Sequence, residues 1–216
     1  FNDILIRTNR TLSFYKNNIV HLFILYSLIC ESLKFIKKAP KEEIIKLIEM
    51  IYPIFAKDFH LKNEIIDKES IANAIKVLQI KDILLEDKTG NIMPPAENSL
   101  VFQNYIALSN LCEPSLKRFY IVMSTIWKSE SIFKEDLNIK CKKLAEDLEK
   151  IEGWPYPEFS DKAKFNNFVY MMKQTKFFKE DSEGKLSASK ITKRAKNLYE
   201  QFFDKDFLEL IERQSN

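Results

Sequence analysis

Two histidines are the first candidates for catalytic residues in this 216-residue chain, and neither stands in a catalytic setting. A catalytic imidazole needs a carboxylate within reach to orient it, but Leu25 and Tyr26 occupy the helical positions after His21 where that partner would stand. His60 is followed by Glu64 and has no helical pairing of His with Asp. Neither histidine has a second ligand at metal spacing, so we interpret both as structural.

The cysteines and glycines narrow the chemistry further. Cys30, Cys112 and Cys141 are far apart, odd in number and without a CxxC pair, which predicts buried, reduced thiols in a cytosolic setting. With only three glycines, the chain has no GxGxxG or GxxxxGK[ST] phosphate loop and no GxSxG nucleophile elbow. No candidate nucleophile has a base beside it. The sequence therefore predicts no catalytic residue, no cofactor and no metal site within the chain.

The longest and most apolar segment, residues 12–38, predicts one central helix that ends near Ala39, because the following proline disfavours helix there. Polar residues such as Glu31 and Lys34 are expected on its wet side. The apolar run over residues 19–30 is too short to span a bilayer, which needs about 20 residues. We therefore expect this helix to need a partner surface. Its main stripe has helical spacing and comprises Tyr15, Ile19, Leu22, Tyr26, Ile29, Leu33 and Ile36.

Apolar spacing and turn residues predict the other elements of a mainly α, multi-helix domain with two small β-hairpins. The hairpins are expected over residues 83–93 and 177–187, with turns at Gly90 and Gly184. Pro53 is expected to kink or end its helix. The aromatic and proline-rich loop over residues 152–157 is expected to cap a core. The remaining helices are predicted over residues 41–58, 67–80, 97–111, 114–128, 133–151, 161–176, 188–203 and 206–213.

The two hairpin regions match each other when the chain is shifted by 94 residues, so that Gly90 meets Gly184 and Ile71 meets Phe165. In each copy a loop, a second helix and a hairpin follow a first helix. This order suits two winged-helix-like units, in which a hairpin packs beside a pair of helices. The alternative is that any two segments with a helix and a hairpin share this periodicity.

Winged-helix units often bind DNA, and the charges of this chain weigh against that use. The net charge is only +3, and basic and acidic residues are interleaved. Both hairpin turns are acidic, with Glu86 and Asp87 in the first and Glu180 and Asp181 in the second. Acidic turns oppose the counterion release that dominates affinity for nucleic acid. A protein contact or a purely structural role is therefore favoured over nucleic acid as a partner.

Two segments resemble the region that follows the catalytic domain in the membrane-associated bacterial sn-glycerol-3-phosphate 1-O-acyltransferase family. The first is an aromatic-Tyr-basic-Asn-Asn-aliphatic-x-His pattern, and the likeness continues around Tyr52 and Pro53. The second, over residues 157–178, is similar to a Pro-Glu-Phe-Phe-Asp-Lys-Ala-x-Phe stretch, with Ser160 in place of the second Phe. The first pattern is carried by Phe14, Tyr15, Lys16, Asn17, Asn18, Ile19, Val20 and His21.

The resemblance implies acyl transfer from acyl carrier protein or coenzyme A thioesters to the 1-hydroxyl of glycerol 3-phosphate, the first step of phospholipid synthesis. It also implies a His-x4-Asp block with His as general base, and no histidine here has Asp at the fifth position. The catalytic residues are therefore expected upstream of Phe1, and the chain alone is expected to be inactive. The implied location is the cytoplasmic side of the inner membrane, as a peripheral protein.

The expected organisation is a junction helix that links an absent catalytic domain to the body of the chain. The expected partners are that catalytic domain in cis, a membrane surface, or a second copy bound through the opening helix. A rival hypothesis is a tandem winged-helix-like module that binds its own protein or nucleic acid. The expected domains are residues 1–39, 40–96, 97–131 and 132–216. The candidate residues for domain or membrane contact are Phe14, Tyr15, Lys16, Asn17, His21, Leu22, Phe23 and Tyr26.

Overall fold

The computed structural model describes residues 20–59, 61–153, 159–192, 200 and 202–214. Within them the chain is mainly α-helical with two small antiparallel sheets, so the predicted fold class is confirmed. His60, residues 154–157 of the aromatic loop and half of the helix predicted over residues 188–203 (residues 193–199 and 201) lie outside the described residues.

The first half of the described chain opens with a short 3-10 turn at Val20–Leu22. Helix α3 begins after Asp67, whose carboxylate accepts a hydrogen bond of 2.7 Å from the Ser70 amide and so caps the helix. Strand β3 lies between β1 and β2, and Ala39 pairs with Ile92. The elements are α1 (Ile24–Lys34), β1 (Ala39–Pro40), α2 (Lys41–Asp58), α3 (Lys68–Ile80), β2 (Leu85–Glu86), β3 (Asn91–Met93) and α4 (Leu100–Ser109).

The second half repeats this order. Its sheet has β6 between β4 and β5, and Ile132 pairs with Leu186 at the position where Ala39 pairs with Ile92. Helix α7 begins after Asp161, whose carboxylate accepts from the Ala163 amide. The elements are α5 (Glu113–Lys128), β4 (Ile132–Phe133), α6 (Lys134–Glu152), α7 (Lys162–Gln174), β5 (Phe178–Glu180), β6 (Lys185–Ala188) and α8 (Lys205–Gln214).

We call α1, β1, α2, α3, β2 and β3 the first unit, and α5, β4, α6, α7, β5 and β6 the second unit. Contacts in the first unit have counterparts in the second unit, between residues whose numbers are 94 higher. The Gln79 side chain donates to Glu86 at 2.9 Å, and Lys173 forms an ion pair with Glu180. Each hairpin turn is closed by an aspartate carboxylate that accepts from backbone amides two and four residues later. These aspartates and their amide donors are Asp87 with Thr89 and Asn91, and Asp181 with Glu183 and Lys185.

The opening helix is shorter than predicted. Residues 12–19 lie outside the described residues, and α1 ends at Lys34 rather than near Ala39. The chain reverses at Lys37, which has the left-handed φ of 64°, and this turn brings Ala39 to its partner in β3. Pairing with a distant strand therefore ends the helix before the apolar pattern does.

The proline in α2 does not end that helix, so this part of the prediction is wrong. The helix continues through Pro53 to Asp58. An interior proline costs about 3 kcal/mol. The flanking side chains of Ile51, Ile54 and Phe55 are fully buried, and each contributes about 1.5–3 kcal/mol. Burial on both sides of the proline therefore outweighs its cost.

The two units share one hydrophobic core. The ring of Phe55 in α2 lies 6.3 Å from that of Phe119 in α5 and 6.4 Å from that of Phe168 in α7. Distances of this size are typical of favourable tilted and edge-to-face aromatic pairs. The aromatic cluster thus joins helices of both units. Helix α1 packs against α2, α3 and α4.

Candidate contact site at the start of the first helix

The residues predicted for domain or membrane contact fall into two groups. Phe14, Tyr15, Lys16 and Asn17 lie outside the described residues. The other four lie together at the start of α1. His21 is exposed in the 3-10 turn. The interpretation of His21 as a structural histidine is therefore wrong. The four described residues are His21, Leu22, Phe23 and Tyr26.

Large apolar side chains at this end of the molecule face solvent. Leu22 is 62% exposed and Phe23 is 41% exposed, although both belong to the apolar segment that was expected to need a partner. Phe23 stands at the N-cap position of α1, where its side chain makes no capping hydrogen bond. Tyr26 lies one turn further along the helix and is half-buried.

These residues open onto an apolar groove of about 600 Å³ between α1, α3 and α4, which we call the α1 groove. Among the residues that the structure describes, the polar members of the lining are Tyr26, Lys81 and Asn104, and none of the lining residues is a carboxylate. Volumes of this size and apolar linings with a few polar groups are typical of binding sites. The lining residues are Phe23, Tyr26, Val77, Leu78, Lys81, Ile83, Asn104, Ala107, Leu108 and Leu111.

The sequence predicted Phe23 and Tyr26 as contact residues but predicted no groove, and the contributions of α3 and α4 were missed. The missed signal in α3 is Val77, an apolar residue outside the buried stripe, which is 42% exposed and lines the groove. In α4 it is Ala107, which is exposed and also lines the groove. Exposed apolar residues that cluster around a groove point to a partner surface.

A buried polar cluster lies where α1 meets the end of α4 and the start of α5. Glu31, which we expected on the wet side of the helix, is only 1% exposed. The Lys34 ammonium lies 3.5 Å from a Glu31 carboxylate oxygen and 3.2 Å from one of Glu113. It also donates to the side-chain oxygen of Asn110 at 3.0 Å. The other oxygen of Glu113 lies 2.8 Å from the ammonium of Lys117.

Burial and ion pairing act in opposite directions on the carboxyl groups of this cluster, and burial dominates at Glu31. It raises the pKa of Glu31 to about 8, against the opposing effect of Lys34. Burial also acts to raise the pKa of Glu113, but Lys117 and Lys34 outweigh it and lower the pKa. Glu31 is therefore largely neutral at pH 7, while Glu113 is the anion that forms ion pairs with both lysines.

The three thiols are buried and free, as predicted. Burial raises the pKa of each thiol well above its ordinary value. A thiol held protonated in this way is a poor nucleophile at neutral pH. Cys30, Cys112 and Cys141 therefore belong to the core in their chemistry as well as in their packing.

The described helices were also considered as membrane spans. In the parts of the chain that the structure describes, no helix combines the length and the apolar character that crossing a bilayer requires. Helix α1 has 11 residues, which gives about 16 Å at 1.5 Å per residue, roughly half of a hydrocarbon core of about 30 Å.

Comparison with known proteins identifies the chain. Residues 4–181 match the family described as "Glycerol-3-phosphate acyltransferase C-terminal region". Similar proteins, each called glycerol-3-phosphate acyltransferase, occur in Alteromonas mediterranea, at 28% identity over 180 residues, and in Pseudoalteromonas atlantica, at 26% over 178 residues. Each alignment covers 82% of this chain and 22% of the relative, so the chain spans about a fifth of the length of these proteins. The match covers well over half of the chain, which therefore belongs to the family of glycerol-3-phosphate acyltransferase C-terminal regions.

Proposed function

We propose that this chain is the non-catalytic C-terminal portion of a glycerol-3-phosphate acyltransferase and that it braces the catalytic region of the same polypeptide. The parent enzyme would transfer an acyl group from an acyl-carrier-protein or acyl-CoA thioester to glycerol 3-phosphate. The observation that carries the proposal is the exposed apolar surface at the start of α1, formed by Leu22, Phe23 and the α1 groove.

The position of this surface supports a contact in cis. Four-fifths of each aligned relative lies outside the matched region, so a large body of protein accompanies this region there. The described chain enters α1 beside the groove, because Phe23 both precedes the helix and lines the groove. A partner on the same polypeptide arrives at this surface at a high effective concentration, so a modest affinity is enough to hold it.

The described residues also support a non-catalytic role. The thiols are buried and protonated, and His21 stands exposed with Leu25 and Tyr26 after it instead of a carboxylate. We expect no turnover when the purified chain is mixed with an acyl thioester and glycerol 3-phosphate. Measurable turnover in this assay would show that the chain holds its own active site.

The bracing role is tested in trans. The catalytic region, purified alone, is mixed with this chain or with its Phe23→Asp variant, and its thermal inactivation is followed. The unmodified chain should slow the inactivation, and the variant should do so less because it places a charge on the contact surface. The proposal fails if neither chain has an effect on the catalytic region.

The same surface supports peripheral attachment to the cytoplasmic face of the inner membrane as a second contribution. Leu22 and Phe23 protrude at the end of the molecule, and exposed aliphatic and aromatic side chains are those that enter a lipid interface. Flotation with anionic liposomes tests this role, again with Phe23→Asp as the variant. If the unmodified chain stays at the bottom of the gradient, attachment to lipid is excluded.

A tandem winged-helix-like interaction module remains the second candidate, and the repeated order of elements favours it. The exposed face of α7 carries Asn167, Tyr170 and Lys173, side chains that bind other macromolecules well. The carboxylates of Glu180 and Asp181 lie in the adjacent hairpin and oppose binding to phosphates. A salt-dependent gel shift with duplex DNA tests the nucleic-acid version of this candidate, and we expect no shift.

A further inference from the structure

The α1 groove has the shape of a site for a helix. The part of its wall that α4 contributes has helical spacing, with Asn104, Ala107 and Leu108 on one face, and Leu111 follows just after the helix ends. The α3 wall is the last turn of that helix, from Val77 to Lys81. Two antiparallel or crossing helices with an apolar floor between them form the surface into which a third helix packs.

The molecule shows how such a surface is covered in its second half. There the amphipathic helix α8 lies on α5, and the ring of Phe203 just before it lies 4.9 Å from that of Tyr120. Phe207 of α8 lies 6.0 Å from the same tyrosine ring, and the Lys117 ammonium stands 5.4 Å from the ring of Phe207. The backbone carbonyl of Glu212 in α8 accepts a hydrogen bond from Lys128.

The start of α1 carries the same kind of side chains without such a cover among the described residues. Phe23 and Tyr26 supply the aromatic surface and line the groove. Lys81 supplies a cation at its edge, as Lys117 does beside α8. A groove with one lysine and no carboxylate favours a partner that brings the negative charge.

We propose that the α1 groove binds an amphipathic helix from the catalytic region of the same polypeptide, with large apolar side chains on one face and a carboxylate opposite Lys81. The inference rests on the proposed function and names the part of the molecule that carries it. A bilayer is a poorer occupant, because a flat lipid surface reaches protruding residues such as Leu22 and Leu100 but not the groove floor at Leu78, which is 2% exposed.

The test measures backbone hydrogen exchange in the full-length acyltransferase that carries this region and in the chain alone. Amides of α3 and α4 should exchange at least about tenfold more slowly in the full-length protein than in the chain alone. A Val77→Asp substitution in the full-length protein should abolish this difference, because it places a charge in the groove. The matched control is Ile191→Asp, since Ile191 is 41% exposed, against 42% for Val77, and lies outside the groove.

The outcomes separate this inference from the proposed function. Suppose that the chain stabilises the catalytic region in trans but that α3 and α4 are equally protected in the Val77→Asp and Ile191→Asp variants of the full-length protein. The groove is then not the contact, and this inference is wrong while the proposed function stands. If the chain by itself forms a dimer that Val77→Asp dissociates, a second copy occupies the groove and the inference is also wrong. A second variant, Lys81→Glu, should weaken the protection without altering the fold, because Lys81 is exposed. Unchanged protection in this variant would exclude the carboxylate partner.

Discussion

The two units of this protein are built alike but finished differently. Each has a first helix, a short strand, two further helices and a hairpin whose second strand is central in the sheet. In the second unit, α8 covers α5, and the side chains of Phe203 and Phe207 are buried. In the first unit, the start of α1 borders an open groove. We infer that one unit is completed within this chain and the other by the remainder of the polypeptide.

The largest expected effect comes from removing the cover in the second unit. Phe207→Ala should lower the free energy of unfolding of the isolated chain by about 3–5 kcal/mol, the usual cost of deleting a buried phenylalanine. Phe23→Ala in the first unit should cost less than about 1 kcal/mol, because Phe23 is 41% exposed. Urea unfolding measures both variants. Equal losses would mean that the start of α1 is already covered in the isolated chain.

The buried cluster between the units provides the next prediction, which concerns pH. The pKa of Glu31 is about 8 in the folded chain and near 4.5 when unfolded, so the folded state binds the extra proton. The stability associated with neutral Glu31 is therefore complete below about pH 4.5 and is lost as pH rises through about 8.

Glu31→Gln should remove this pH dependence. The variant should be more stable than the unmodified chain at pH 9 by about 2–4 kcal/mol and close to it at pH 5. The control is Glu130→Gln, since Glu130 is exposed, and it should leave the pH profile unchanged. Chemical denaturation across this range decides the matter. A variant with the same pH profile as the unmodified chain would show that Glu31 is charged throughout.

The smallest expected effect tests the likeness of the units. Asp87 and Asp181 each close a hairpin turn through two backbone amides. Asp87→Ala and Asp181→Ala should therefore both lower the Tm by small amounts, because each removes the same two hydrogen bonds from backbone amides. The loss should be somewhat larger for Asp87→Ala, because Asp87 also accepts from the Thr89 hydroxyl at 2.6 Å. Differential scanning calorimetry of the two variants makes the comparison. A large loss for one and none for the other would break the equivalence.

Local signals in the sequence predicted much of this fold. The helix expected over residues 41–58 is α2, and that expected over residues 67–80 is α3, with Asp67 as its cap. Both hairpins form where glycine turns follow short apolar runs. Capping residues, turn residues and helical periodicity act over a few residues, so they can be read from the sequence directly.

The rest depended on contacts between distant segments. Glu31 is buried because α1 packs against α4, a helix 76 residues further along the chain, while the cation beside its carboxyl group, Lys34, belongs to α1 itself. Helix α1 ends early because Ala39 pairs with Ile92. Of the groove lining, only Phe23 and Tyr26 were predicted, as contact residues. The groove itself could not be predicted, because α1, α3 and α4 form it together and no single stretch of sequence contains more than one of its walls.

The most direct test of the account is lysine cross-linking, read by mass spectrometry, in the full-length acyltransferase that carries this region. Lys81 lines the groove and Lys76 is an exposed residue of α3 next to the groove residue Val77, whereas Lys140 lies on the exposed face of α6 in the second unit. The account predicts cross-links from Lys76 and Lys81 to the catalytic region and few from Lys140. Cross-links that come from Lys140 and leave Lys76 and Lys81 unmarked would contradict it.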